Sequence, residues 1–219
     1  DAEGREVAET RSSGKAEAGK EVVFTQQLTV KQPQLWDIVT PYLYTLVSTV
    51  VADGRELDSF PCKTGIRTAV FDAERGFLLN GVTVKIKGMC VHHDCGMTGA
   101  VGYKESWERR LKELKEMGCN GIRCSHNPPA PVLLDLCDEL GFLVMDEAFD
   151  EWLLAKNKTD NYYSESLAYG SSMFFTNHAK EDLIAMLRRD YNHPSVVIWS
   201  IGNEIPEQSS VDGVKILEF

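Results

Sequence analysis

The chain of 219 residues lacks any apolar run approaching the roughly 18 residues that span a bilayer as a helix. It is short of positive charge: 23 Lys and Arg stand against 33 Asp and Glu, a formal net charge of −10. A surface of that sign repels phosphate backbones and anionic lipid, so neither nucleic acid nor a membrane is expected as a partner. No signal-peptide pattern opens the chain, which leaves the compartment open between cytoplasmic and periplasmic or secreted. The six cysteines, at 62, 90, 95, 119, 124 and 137, lack the spacing of a disulfide framework. Most of them sit inside apolar patterns, where free cysteine acts as a small hydrophobe. What remains is 43% hydrophobic and 26% charged, the balance of a globular protein able to bury a core.

The pattern changes near residue 70. Before it, strands are predicted over 22–30, from the alternation Phe24, Gln26, Leu28, Val30, over 42–51, and over 62–70. Ala52-Asp53-Gly54 supplies a turn. The polar opening through Lys20 reads as a loop or frayed edge. After it, strands alternate with amphipathic helices. Strands are predicted over 82–91, 119–124, 142–146 and 196–201. A helix over 105–117 carries Trp107, Leu111, Leu114 and Met117 on one face. A second starts near Pro128-Pro129 and ends at Gly141, and a third covers 175–190. Residues 156–172 read as a polar loop. The order βαβαβαβ implies a parallel sheet, so the fold class is an all-β portion over 1–70 followed by an α/β portion over 71–219.

In such βα architectures, functional groups collect at the C-terminal ends of the strands. Those ends read His92-His93-Asp94, then Arg123-Cys124-Ser125-His126-Asn127, then Asp146-Glu147, then Asn203-Glu204. All four deliver polar or charged groups to one rim. Glu204, beside an amide at the end of an apolar strand, is the candidate for acid chemistry. Arg123 is expected to orient a neighbouring carboxylate with its planar fork. His126 either contacts a bound ligand or caps its loop.

The runs Phe77–Gly81, Lys87–Asp94, Met117–Pro128, Asp146–Trp152 and Asn192–Glu204 together resemble family 2 glycoside hydrolases, the β-galactosidase group. The resemblance covers roughly residues 35–208. It implies an immunoglobulin-like β-sandwich, here in part, followed by the first four βα units of a TIM (β/α)8 barrel. It implies a retaining β-glycosidase acting on terminal β-D-galactosides, with Glu204 as general acid/base and Asn203 hydrogen-bonded to the substrate 2-hydroxyl. His92, His93, Arg123, His126, Asp146, Glu147 and Trp152 then fall in or around the sugar site. The family's nucleophile is a glutamate on a later barrel strand, about 80–100 residues beyond Glu204 in an eight-stranded barrel of ordinary length. No residue of this chain matches it. β-Glucuronidases and β-mannosidases share much of the same framework.

Two rival readings stand beside this one. The rim residues could hold sugar without cleaving it, as a carbohydrate-binding or assembly module. Cys90, His92, His93 and Cys95 suggest a metal module, although strand alternation sends Cys90 and His92 to one face and His93 to the other. No cofactor is expected. Magnesium-dependent galactosidases of the family carry Glu-Thr-His after the third strand; here Glu151-Trp152-Leu153 keeps the glutamate and loses the histidine, which puts magnesium in doubt. Trp152 reads as an aromatic wall for a sugar ring or as a core residue, and Trp199 as core.

Two outcomes are expected of the 219 residues alone. Without a second catalytic carboxylate they hydrolyse no appreciable aryl β-galactoside; robust release of p-nitrophenol by the purified chain contradicts this. A half barrel also leaves strand edges open, which favours self-association. A monodisperse monomer in light scattering contradicts that.

Overall fold

The computed structural model describes residues 1–156 and 170–216. Most of the polar loop expected over 156–172 therefore lies outside the described residues. Two strands, β1 (Tyr44–Ala52) and β2 (Arg55–Thr64), form an antiparallel hairpin. Its two-residue turn is Asp53-Gly54, both at positive φ (51° and 73°), the geometry that matches the twist of the flanking strands. A three-stranded sheet follows: β3 (Ala69–Asp72), β4 (Gly76–Leu79) and β5 (Val82–Thr83). Asn80-Gly81 makes the same kind of turn between β4 and β5.

A four-stranded parallel sheet carries the rest, in the spatial order β6 (Gly88–His92), β7 (Gly121–Ser125), β8 (Leu143–Glu147), β9 (Val196–Ser200). The helices α1 (Lys104–Glu116), α2 (Pro131–Leu140) and α3 (Ser172–Asp190) connect successive strands, and α4 (Val211–Ile216) follows β9. Trp107 and Leu111 of α1 and Leu133, Leu134, Leu136 and Cys137 of α2 pack on Val91, Ile122, Cys124, Val144 and Val196. One face of the sheet is thereby sealed by helices. The opposite face carries Cys90, Arg123 and Met145 in register.

The earlier segments plug the other end of this sheet. Trp36 is fully buried against Phe77, Leu79 and Leu143, the first residue of β8. Its indole N–H donates to the Asp138 carbonyl at 2.8 Å. Arg67 donates to the carbonyls of Pro194 (2.9 Å) and Val196 (2.6 Å), and Lys115 Nζ to those of Ile38 and Gly141. Gly141 ends α2 at φ 71°, and a Cβ there would meet the Ile38 carbonyl at 2.7 Å. Glycine is required on both counts. Removing the Trp36 side chain would cost about 3–5 kcal/mol by the measure of buried aromatic truncations. With the N-terminal end filled, the C-terminal strand ends are the rim left open for chemistry.

Several sequence expectations need correction. Residues 22–30 form no strand: they are largely exposed and join no ladder among the described residues, and alternation makes a strand only where a ladder exists. The strand expected over 62–70 is two, because the chain leaves β2 at Thr64 and crosses to a different sheet before β3. That over 82–91 is also two. β5 pairs antiparallel with β4 while β6 pairs parallel with β7, and the Asn120 side chain fixes the crossing by bonding Lys87 N–H and the Lys85 carbonyl. Helix α2 begins at Pro131, after the proline pair rather than on it.

Candidate active site

The site grows from the open face of the sheet. Arg123 and Glu147 point to the same side of adjacent strands. The guanidinium holds the carboxylate through Nε (3.0 Å to Oε2) and Nη2 (2.7 Å to Oε2, 3.0 Å to Oε1). His126 Nδ1 lies 2.7 Å from Oε1, and Ser200 Oγ donates to Oε2 at 2.7 Å. Glu147 is fully buried. Burial pushes its carboxyl up, but the hydrogen bonds from Ser200, His126 and Arg123 and the arginine charge outweigh it and hold the group below the usual carboxylate range. The bond to Glu147 in turn raises Arg123. An ionised Glu147 makes Nδ1 of His126 the protonated nitrogen.

The network extends to the end of β9. Arg123 Nη2 donates to Asn203 Oδ1 at 2.9 Å, and Asn203 Nδ2 donates to Asp150 Oδ1 at 3.1 Å. The Asn203 N–H donates to the Phe149 carbonyl, and Lys156 Nζ donates to the Asn203 carbonyl at 2.5 Å. Asn203 is thus fixed at four atoms. Glu204 follows at φ 48°, a left-handed conformation uncommon for a residue with a side chain, and its carboxylate is 84% exposed. The rim therefore presents Glu204 outward from a rigid base.

Beside it lies a cleft of about 480 Å³ lined by His92, His93, Asp94, Ser125, His126, Asn127, Ala148, Phe149, Asp150 and Ser171. The His92 ring meets His126 edge-on at 5.3 Å, and His93 leans on Trp107 at 5.4 Å. The peptide joining Ser125 to His126 is cis.

The structure brings Arg123, His126, Glu147, Asn203, Glu204, His92 and His93 to this rim. Two expected residues are not brought there. Asp146 lies on the helix-facing side of β8, fully buried and beside Asp190. The period-two alternation of a strand puts it opposite Glu147. Trp152 is 3% exposed, stacked on Phe175 at 5.9 Å, its N–H bonded to the Ile201 carbonyl. It supports the rim from behind and offers no face to the cleft. Sequence reasoning missed Ser200, Asp150 and Lys156. A polar residue inside the apolar run 196–201 was a signal for Ser200; the other two lie in irregular chain whose path no periodicity reveals.

Glu151, the residue shared with magnesium-dependent relatives, is fully buried. Its carboxylate accepts from Ser172 N–H at 3.0 Å, Ser171 Oγ at 3.4 Å and Lys156 N–H at 2.8 Å. Those donors satisfy an anion at the first turn of α3. Among the described residues no three His, Cys, Asp or Glu side chains are grouped to hold a metal, the Cys90–Cys95 segment included.

Parallel strands that end in a buried ion pair, a fixed amide and an outward glutamate beside a polar cleft gather the polar groups on the C-terminal rim, where βα folds carry their sites. The model described as glycosyl hydrolases family 2, TIM barrel domain, matches residues 70–216, and that described as glycosyl hydrolases family 2 matches 1–67. The chain belongs to glycosyl hydrolase family 2. It is 61% identical over 210 residues to beta-galactosidase BoGH2A of Bacteroides ovatus, covering 96% of this chain and 24% of that protein. It is 40% identical to a putative beta-glucuronidase of Formosa agariphila, covering 81% of this chain and 16% of that one. A crystal structure of a family 2 member from Bacteroides cellulosilyticus superposes with a TM-score of 0.79 at 44% identity, over 86% of this chain and 23% of that one. The chain spans about a quarter or less of the length of these relatives. Its architecture is an immunoglobulin-like portion followed by the start of a TIM barrel.

Asp146 yields a test of the hidden side of the sheet. Burial, and next the charge of Asp190, push its carboxyl up to about 7 from an ordinary 3.8. Between those values the folded protein holds a proton that the unfolded chain releases, so this group's contribution to stability falls as pH rises from about 4 to 7. Asp146→Asn should flatten that fall and gain about 1–3 kcal/mol at pH 8. Urea melts of both proteins at pH 5 and pH 8 measure the difference; an equal change at both values argues against it.

Proposed function

We propose that the enzyme to which this chain belongs is a retaining β-galactosidase that hydrolyses terminal non-reducing β-D-galactosides, with Glu204 as general acid/base. The observation that carries the reading is the outward glutamate, set in a left-handed turn directly after a fully anchored Asn203. Glu204 would give its proton to the departing glycosidic oxygen as a carboxylate nucleophile attacks the anomeric carbon. It would then take a proton from the water that releases the sugar. Retention requires the nucleophile about 5–5.5 Å from it, a group asked of the part of the enzyme beyond these residues.

Asn203 would hydrogen-bond the 2-hydroxyl through the second proton of its amide, since Asp150 takes the first. Arg123 and Glu147 would act through Asn203 and His126 by holding them in place. His92, His93 and His126 would line the bound pyranose.

A neutral sugar is favoured over a uronate by charge as well as by the likeness to a beta-galactosidase. Among the described residues lining the cleft are Asp94 and Asp150 but no Lys or Arg, whereas a uronate carboxylate asks for a cation. In isolation, the 219 residues would pair with a second copy through the open edges of β6 and β9.

The test uses the full-length enzyme and its Glu204→Gln variant. Wild type should turn over p-nitrophenyl β-galactoside well above the β-glucuronide, and the variant should lose about 10²–10⁴ in kcat. Preference for the glucuronide or mannoside moves the assignment within the family. Tight galactose binding without turnover of any of the three leaves a sugar-binding module.

A further inference from the structure

We infer that Lys156 is a positioning residue for the acid/base, holding the Asn203–Glu204 peptide in its left-handed turn and setting a cation beside the Glu204 carboxylate; this rests on the acid/base reading of Glu204. Three contacts converge on the one ammonium. Nζ donates to the Asn203 carbonyl at 2.5 Å, lies 3.2 Å from Asp150 Oδ1, and 3.8 Å from Glu204 Oε2. The first of these bonds has the most consequence. The Asn203 carbonyl belongs to the peptide whose orientation puts Glu204 at φ 48°. Left to itself, that turn is unfavourable for a residue with a Cβ. A charged donor on the carbonyl stabilises it.

The lysine is itself anchored. Its backbone N–H donates to Glu151 Oε2 at 2.8 Å, and Glu151 Oε1 accepts the Ser172 N–H at the start of α3. A buried carboxylate thus ties the first turn of α3 to the residue that grips the rim. The Lys156 side chain is only 21% exposed, so its head is directed inward by these acceptors rather than by solvent.

The charge effect follows from the neighbours. Lys156 and Asp150 approach the rim from the chain after β8. Behind Asn203, the Arg123–Glu147 pair from β7 and β8, with His126 on Glu147, is internally compensated. Among the described residues, removing the ammonium takes away the cation nearest the Glu204 carboxylate and the charged donor on the Asn203 carbonyl, and leaves the Asp150 charge close by.

Lys156→Met, Lys156→Arg and Glu204→Ala in the full-length enzyme separate the possibilities, assayed on p-nitrophenyl β-galactoside. Lys156→Met should lower kcat about ten- to a hundredfold with a much smaller effect on KM. Lys156→Arg should recover most of the rate. Glu204→Ala should be nearly inactive and regain turnover with azide, an anion that needs no general base: it attacks the glycosyl-enzyme ester in place of water, releases the nucleophile carboxylate and leaves as the glycosyl azide. A Lys156→Met kcat within about twofold of wild type, or a loss that Lys156→Arg does not recover, while azide rescues Glu204→Ala, overturns the role of Lys156 alone. Absence of both the Glu204→Ala loss and the azide rescue overturns the acid/base reading and this inference with it.

Discussion

The pairing of Arg123 with Glu147 is the constraint on which the site depends. A carboxylate at full burial is untenable without donors. Here it receives the arginine fork and a histidine from the end of β7 and a serine from the end of β9. Each donor is thereby fixed by the same anion. Arg123 reaches past it to Asn203, so the rigidity of the ion pair passes to the end of β9 and to the glutamate that follows. Take away the guanidinium and the buried charge, the imidazole tautomer and the amide orientation all lose their reference at once.

Asp146 and Glu147 show how far a single strand separates two adjacent acids. Both are fully buried. One is held below the usual range and the other is pushed up to about 7. Alternation sends Glu147 among donors on the open face. It sends Asp146 among helices, near an Asp190 already gripped by Arg189. Burial acts in the same direction on both, and the partners decide the outcome. The pair also separates function from framework, since chemistry is assembled on one face while the other is part of the support.

The support has its own economy of contacts. Trp36, Arg67 and Lys115 donate to backbone carbonyls of the barrel portion, and Gly141 lets Ile38 approach α2 closely. These tie the first portion to the strand beginnings. The rim is left to loops, where Lys156 joins the first turn of α3 to the residues before and at Glu204.

Periodicity in the sequence was sufficient for the parallel βα order, most of the buried faces of α1 and α2 and the ends at which polar residues gather, but not for α3, which buries Phe175, Ala179 and Met186 and leaves Ile184 exposed; burial of one face imposes a spacing of two or about 3.6 residues. The clustered motifs were sufficient for the family. Neither could say that Asp146 and Trp152 turn away from the cleft, that residues 22–30 form no strand, or that Ser200, Asp150 and Lys156 take part. Those depend on which strand pairs with which and on the path of irregular chain. Contacts between residues 24 to 80 positions apart, such as Arg123 with Glu147 and Asn203, are decided only when the sheet closes and brings their side chains to one face.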